Sequence, residues 1–167
     1  WDEEALASHI GYLPQRIELF DGTVADNIAS FAPKIGEDGE AIGPKVVTAA
    51  LLAGAHELIL RLPRGYETEL GPQGAGISPG QAQRIALARA LFNDPVVVIL
   101  DEPNSHLDQE GDVALASAVQ SVRALGGVVV MVAHRTGAIS LVDNLLLLRD
   151  GRITEYGPRQ AVLAKLQ

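Results

Sequence analysis

The run Val97-Val98-Ile99-Leu100-Asp101-Glu102-Pro103 decides the fold. Val96–Leu100 is short, continuously apolar and β-branched, the pattern expected of a strand buried on both faces of a parallel sheet. Val128–Val132 has the same character. Between them, Glu110–Leu125 carries Val113, Leu115, Val119 and Val122, with Gly126-Gly127 as the stop, which reads as a crossover helix. A strand, a helix and a strand of these lengths predict a right-handed βαβ unit. Asp101 and Glu102 then stand at the carboxyl end of a parallel strand, where open α/β folds bind their ligands. Adjacent acids at a strand end diverge, so one can hold Mg²⁺ through water while the other faces a reacting water. Phosphate hydrolysis needs both tasks. The same two acids could equally leave the sheet into solvent and lead into a turn, and taken alone they leave both readings open.

Working outward, Ile10-Gly11-Tyr12-Leu13 predicts another strand, ended by Pro14. Asn144–Arg149, the Asp150-Gly151 turn and Arg152–Tyr156 predict a hairpin, followed by a short helix from about Pro158 to Leu166. The stretch from Ile17 to Phe92 has a different texture. It holds helical runs at Val24–Ser30, Lys45–Ala53 and Gln81–Phe92, joined by Gly- and Pro-rich segments, with no strong strand signal. We read residues 1–16 and 93–167 as an α/β core and residues 17–92 as a helical subdomain inserted between two of its strands.

The 167 residues are enough for one domain with a substantial core. The 21 acidic residues against 13 basic ones give a net charge of -8, with no cluster of Lys or Arg, which argues against nucleic acid as a partner. An acidic chain can still take a nucleotide, because backbone N–H groups and Mg²⁺ neutralise phosphates locally. The absence of cysteine excludes disulfides and thiolate metal sites. No apolar run approaches the ~20 residues needed to span a bilayer, so the chain itself is expected to be soluble.

A second constellation is Ile77-Ser78-Pro79-Gly80-Gln81, followed by Ala82-Gln83-Arg84-Ile85-Ala86-Leu87-Ala88-Arg89-Ala90-Leu91. Ser78 suits an N-cap, and Pro79 suits the first helical position, where its missing N–H costs little. The Gly80 N–H, bare of any side chain, makes this helix start a ready anion site, although an ordinary capped helix would read the same way.

Leu13-Pro14-Gln15, Ile77-Ser78-Pro79-Gly80-Gln81, Leu100-Asp101-Glu102-Pro103, Ser105-His106-Leu107-Asp108 and Val132-Ala133-His134-Arg135 follow one another in the order and approximate spacing of the ATP-binding-cassette (ABC) ATPases. They resemble, in turn, that family's Q-loop, signature sequence, Walker B strand, D-loop and switch histidine. The resemblance runs through essentially the whole chain. It implies a P-loop NTPase-like parallel-sheet core with an inserted helical signature subdomain, and ATP and Mg²⁺ as ligands.

Carried over position by position, the resemblance makes Asp101 a Mg²⁺ ligand and Glu102 the general base that polarises the attacking water. His134 would contact the γ-phosphate. Gln15 would touch Mg²⁺ or the water and sense the membrane subunit. Ser78, Gly80 and Gln81 would close over the γ-phosphate of an ATP held by a partner subunit, and Asp108 would lie at the dimer interface. Pro79 stands where the family usually has Gly, and His106 replaces a residue that is commonly small. His9 and His56 belong to no motif and read as structural or solvated.

Gln15–Ile28 resembles the exporter form of the Q-loop region, and Leu62–Gly71 the exporter segment that touches the coupling helices of the membrane domain. The opening Trp1-Asp2 and His9–Gln15 look most like bacterial type I secretion ATPases. That resemblance implies a homodimer at the cytoplasmic face of the bacterial inner membrane. It also implies a transmembrane domain on the same polypeptide, and membrane-fusion and outer-membrane secretion components as partners.

The phosphate-wrapping string G-x-x-x-x-G-K-S/T does not occur in these residues, and Gly36 to Lys45 is only its nearest approximation. The family places that loop upstream of the Q-loop, so the chain is expected to be the tail of a longer polypeptide with six transmembrane helices. By itself it should bind ATP weakly, hydrolyse it negligibly and expose a sheet edge. A non-catalytic module that serves only dimerisation or interaction is the alternative to a working ATPase. Pro79 leans that way, and the intact Asp101-Glu102 pair with His134 leans toward the enzyme.

Overall fold

The computed structural model describes residues 2, 6, 8–32, 41–71, 74, 76–105, 107–134 and 136–166. Trp1, the first half of the Gly36–Lys45 string, His106 and Arg135 lie outside them. The chain divides into two compact units, residues 1–132 and 133–167.

In the first unit, β1 (Ile10–Leu13), β4 (Val97–Asp101) and β5 (Val128–Val132) form a parallel sheet in the order β1-β4-β5. The register sets Ile10 beside Val97 and Val128, and Leu13 beside Leu100 and Met131. The helix α5 (Gln109–Ala124) makes the crossover from β4 to β5, as the sequence predicts. Its buried stripe of Leu115, Ala118, Val119 and Val122 has the spacing of one helix face.

The helix α4 (Pro79–Leu91) lies against β1 so closely that a Cβ on Gly11 would come 1.8 Å from the Ala90 carbonyl oxygen. Only a residue without a side chain admits that approach, and because backbone stands on both sides the clash cannot be relieved by a rotamer change. Gly11→Ala is therefore expected to lower stability by about 1–3 kcal/mol, the usual scale for an overpacked core. Urea unfolding of the purified protein measures it, and a change below about 0.5 kcal/mol would show that the helix has room to move.

One expectation is corrected. The sheet is not buried on both faces: Leu13, Val98 and Leu100 are buried, but Val128, Val130 and Val132 are each about half exposed. Ile10 and Tyr12, on the same face by register, are exposed as well. A β-branched apolar run records that a strand tolerates burial on both faces. Which faces are covered depends on what packs there, and among the described residues this face stays open.

The helical runs between β1 and β4 are α1 (Val24–Ile28), α2 (Ile42–Leu52), α3 (His56–Leu60) and α4, with a 3₁₀ turn at Gly65–Glu67. Two short strands went unpredicted there, β2 (Gly22–Thr23) and β3 (Glu69–Leu70), which pair antiparallel. Two residues are too few to show a period.

The second unit holds α6 (Thr136–Ile139), the hairpin β6 (Asn144–Arg149) and β7 (Arg152–Pro158), and α7 (Arg159–Ala164). Asp150 and Gly151 both have positive φ, 49° and 73°, as the tight hairpin turn demands. Across the described residues, no helix is long and apolar enough to cross a membrane.

Candidate active site

Asp101 is the last residue of β4, and Glu102 follows it in the left-handed region at φ 47°. That conformation costs a residue with a side chain on the order of 1–3 kcal/mol and persists only where the surroundings enforce it. Here they do. The Glu102 N–H donates to the Val132 carbonyl (2.9 Å), and the Glu102 carbonyl accepts from the Ser105 N–H (3.1 Å). Pro103 and Asn104 are buried just beyond. The turn therefore presents two consecutive carboxylates, both half-buried, at one strand end.

The buried side chain of Gln83 holds the same turn from the other side, its Nε2 donating to the Pro103 carbonyl. Gln83 belongs to α4, whose start is a reciprocal cap. The Ser78 hydroxyl accepts from the Gln81 N–H (3.2 Å), and the Gln81 side-chain oxygen accepts from the Ser78 N–H (2.8 Å). Pro79 fills the first helical position, as its fixed φ favours. Of the N–H groups in the first turn, Pro79 has none and that of Gln81 is used by the cap. Helix geometry leaves the Gly80 N–H without an intrahelical partner, aimed out of the helix start. With the rotatable Ser78 O–H it forms a small donor set of the kind an anion needs.

One turn further along α4, the Arg84 guanidinium reaches the Asp108 carboxylate at 2.7 Å. Asp108 also caps α5 by accepting from the Gly111 N–H (2.8 Å). The Gly111 N–H and then Arg84 hold the Asp108 carboxyl below the ordinary carboxylate range. Near the far end of α4, Arg89 donates to the Glu18 carbonyl (2.7 Å), and its guanidinium lies 5.6 Å from the centre of the Phe20 ring. Burial lowers the Arg89 pKa. The segment after β1 is thus fastened to α4, and Gln15, two residues past β1, is exposed at the same sheet end as Asp101.

Asn27 secures that segment from behind. Its side-chain oxygen accepts from the Phe20 N–H (2.8 Å), and its amide donates to the carbonyls of Phe20 (2.9 Å) and Thr23 (3.0 Å). The Val24 N–H donates to the Thr68 carbonyl (3.0 Å), and Thr23 pairs with Glu69. The two segments that resemble exporter sequences, Gln15–Ile28 and Leu62–Gly71, are therefore joined edge to edge. His56 accepts from or donates to the Tyr66 hydroxyl at 2.8 Å, the structural role its sequence context implies, and burial raises the Tyr66 pKa.

The first unit thus brings together Asp101, Glu102, the start of α4 and Asp108 through contacts made by α4. His134 lies in the second unit, two residues past the end of β5, and is exposed. Gln83, Arg84, Arg89 and Asn27 escaped the sequence reading. A buried polar residue inside an amphipathic run gives no periodic signal, and its importance appears only with its partner.

A half-buried carboxylate at the carboxyl end of a parallel sheet, beside a second one in an enforced turn, stands where open α/β folds bind their ligands. The family described as ABC transporter matches residues 1–105, and the chain belongs to that family. By that membership it is of an ATP-binding, ATP-hydrolysing class. The chain is 51% identical over 166 residues to the type I secretion system ATP-binding protein PrsD of Rhizobium meliloti, covering 99% of this chain and 28% of that protein. It is 40% identical over 163 residues to the cyclolysin secretion/processing ATP-binding protein CyaB of Bordetella pertussis, covering 98% of this chain and 22% of that one. It also superposes on a bacterial Atm1-family ABC exporter solved with ATP bound, with a TM-score of 0.81 and 32% identity over 98% of this chain and 27% of the other. The chain spans about a quarter of the length of these relatives.

Proposed function

We propose that this chain is the ATP-hydrolysing part of a type I secretion exporter that moves a protein across the bacterial inner membrane. The observation that carries the proposal is the Asp101-Glu102 pair, held in an enforced turn and tied to a capped anion-binding helix start. The kinship with two secretion proteins supports a protein cargo over other exported substances.

In this reading Glu102 accepts the proton of the water that attacks the γ-phosphate, and Gln15 orients that water. His134 steadies the γ-phosphate oxygens. Asp101 would hold Mg²⁺, and the ion would supply positive charge beside the phosphates. Magnesium is bound through one or two carboxylates together with phosphates and waters, so a single strand-end carboxylate with oxygen donors suits it. No cluster of three or more His, Cys, Asp or Glu occurs among the described residues, and this ion requires none. Ser78, Gly80 and Gln81 face the ATP of a second copy, and Asp108, fixed by Arg84, lines the contact between copies.

Leu62–Gly71, paired to Gln15–Ile28 through β2 and β3, meets the transmembrane domain, while membrane-fusion and outer-membrane components complete the export path. The test is genetic and biochemical together. Deleting the gene should remove at least one polypeptide from the culture medium, and the wild-type gene should restore it while Glu102→Gln does not. An unchanged set of secreted proteins would turn the reading away from protein export, and restoration by Glu102→Gln would favour the non-catalytic module.

A further inference from the structure

Gln83 is the most deeply buried uncharged amide in the signature helix, at 2% exposure, and nothing in the proposed chemistry uses it. Burying an amide costs free energy unless its hydrogen bonds are made, so a Gln in this position persists for what it binds. Its Nε2 donates to the carbonyl of Pro103, the residue that follows Glu102. The same helix begins five residues earlier at Ser78, whose reciprocal cap with Gln81 makes the first turn stiff. Glu102 is held at φ 47°, a backbone setting that relaxes unless neighbours hold it. Two of the restraints, with Val132 on β5 and with Ser105, are made by the Glu102 backbone itself, and Gln83 adds a side-chain restraint on the next residue, Pro103.

We propose that Gln83 is a positioning residue for Glu102, and that it links the start of α4 to the carboxylate of the same subunit. The inference rests on the reading of Glu102 as general base and of the start of α4 as facing a partner's ATP. Under that reading, a shift of α4 on nucleotide contact reaches this subunit's own base through one buried hydrogen bond. Each subunit's readiness to hydrolyse then depends on the nucleotide its signature touches. The geometry demands little movement, since a misplacement of about 1 Å in a catalytic group can cost about a hundredfold in rate.

The test is a double-mutant cycle on the full-length protein. Gln83→Met keeps the length and the burial but removes the donor. It is expected to lower Mg-ATP turnover roughly tenfold to a hundredfold, with KM changed by less than about twofold. Combined with Glu102→Gln, it should lower the residual turnover by less than about twofold, because Gln83 acts through Glu102. Gln83→Glu is the second arm: a buried carboxyl stays protonated and still donates to the Pro103 carbonyl, so it should retain at least about a third of parent turnover, and more than Met. Equal factors for Gln83→Met with and without Glu102→Gln overturn the assignment, as does a folded Glu variant no better than Met. Should the Met protein fail to fold, the Glu arm decides alone: a folded Glu protein below about a tenth of parent turnover overturns the assignment. Parent and Glu102→Gln proteins run alongside. A parent that does not hydrolyse Mg-ATP, or a Glu102→Gln protein as active as the parent, removes the reading of Glu102 and the Gln83 proposal with it. A parent whose turnover depends on Glu102 leaves Gln83 as the only assignment in question.

Discussion

Glu102→Gln is expected to lower Mg-ATP turnover of the full-length protein by roughly 10²–10⁴, the range a positioned general base contributes. The substitution keeps shape, volume and the backbone turn, and removes only the ability to accept a proton. KM for ATP should therefore change little, and a nucleotide-bound dimer should accumulate because the step that empties the site is slowed. Steady-state turnover and size-exclusion chromatography with ATP measure the two effects. A fall below tenfold would take Glu102 out of the role of base. The reason to expect a large effect is local. The turn holds Glu102 at positive φ, and a strained backbone at a carboxylate is most simply explained by the direction in which that carboxylate must point. Asp101→Asn in the same protein separates the roles, since loss of a metal ligand should raise the Mg²⁺ needed for half-maximal turnover.

The parts of the fold that the sequence makes legible are those with a local signal. Continuous apolar runs mark β4 and β5, the Asp-Gly pair marks the hairpin turn, and Ser78-Pro79 marks a helix start, all as observed. Each is decided by the chemistry of a few adjacent residues. The pairing of β2 with β3 is decided by residues 46 positions apart in sequence, Thr23 and Glu69, and two-residue strands leave no pattern to read. The half-open sheet face is a further case, because Val128, Val130 and Val132 are as apolar as a buried strand, and only their surroundings differ. At the site the residues named by motif are strand ends and helix caps, where local geometry dictates residue type. The residues that fasten them, Gln83, Arg84, Arg89 and Asn27, lie inside helices and act across the fold. Pro79 illustrates the boundary. It departs from the family's usual Gly, yet the helix start it occupies accepts it without loss, since an N–H at that position makes no intrahelical bond.

Asn27→Leu is expected to destabilise the protein by on the order of 3 kcal/mol. The fully buried Asn27 side chain satisfies one backbone N–H and two backbone carbonyls, those of Phe20, Phe20 again and Thr23. Leu has a similar volume, so no large cavity opens and the loss measures hydrogen bonding alone. Each buried backbone group left without a partner costs about 1–3 kcal/mol, and partial exposure of this segment lets water recover some of it. The consequence reaches the site through the chain. Phe20 is edge-on to Phe31 at 6.2 Å and lies beneath Arg89, so a loosened Phe20 also loosens the hold of α4 on the segment after Gln15. Thermal and urea unfolding should show the stability loss, with the m-value unchanged because the same surface is exposed. Turnover at saturating ATP should fall less than fivefold at temperatures below the new transition, since none of the proposed catalytic groups has been altered. A loss of stability below about 1 kcal/mol would mean that the segment finds other partners, and that Asn27 follows its position instead of fixing it.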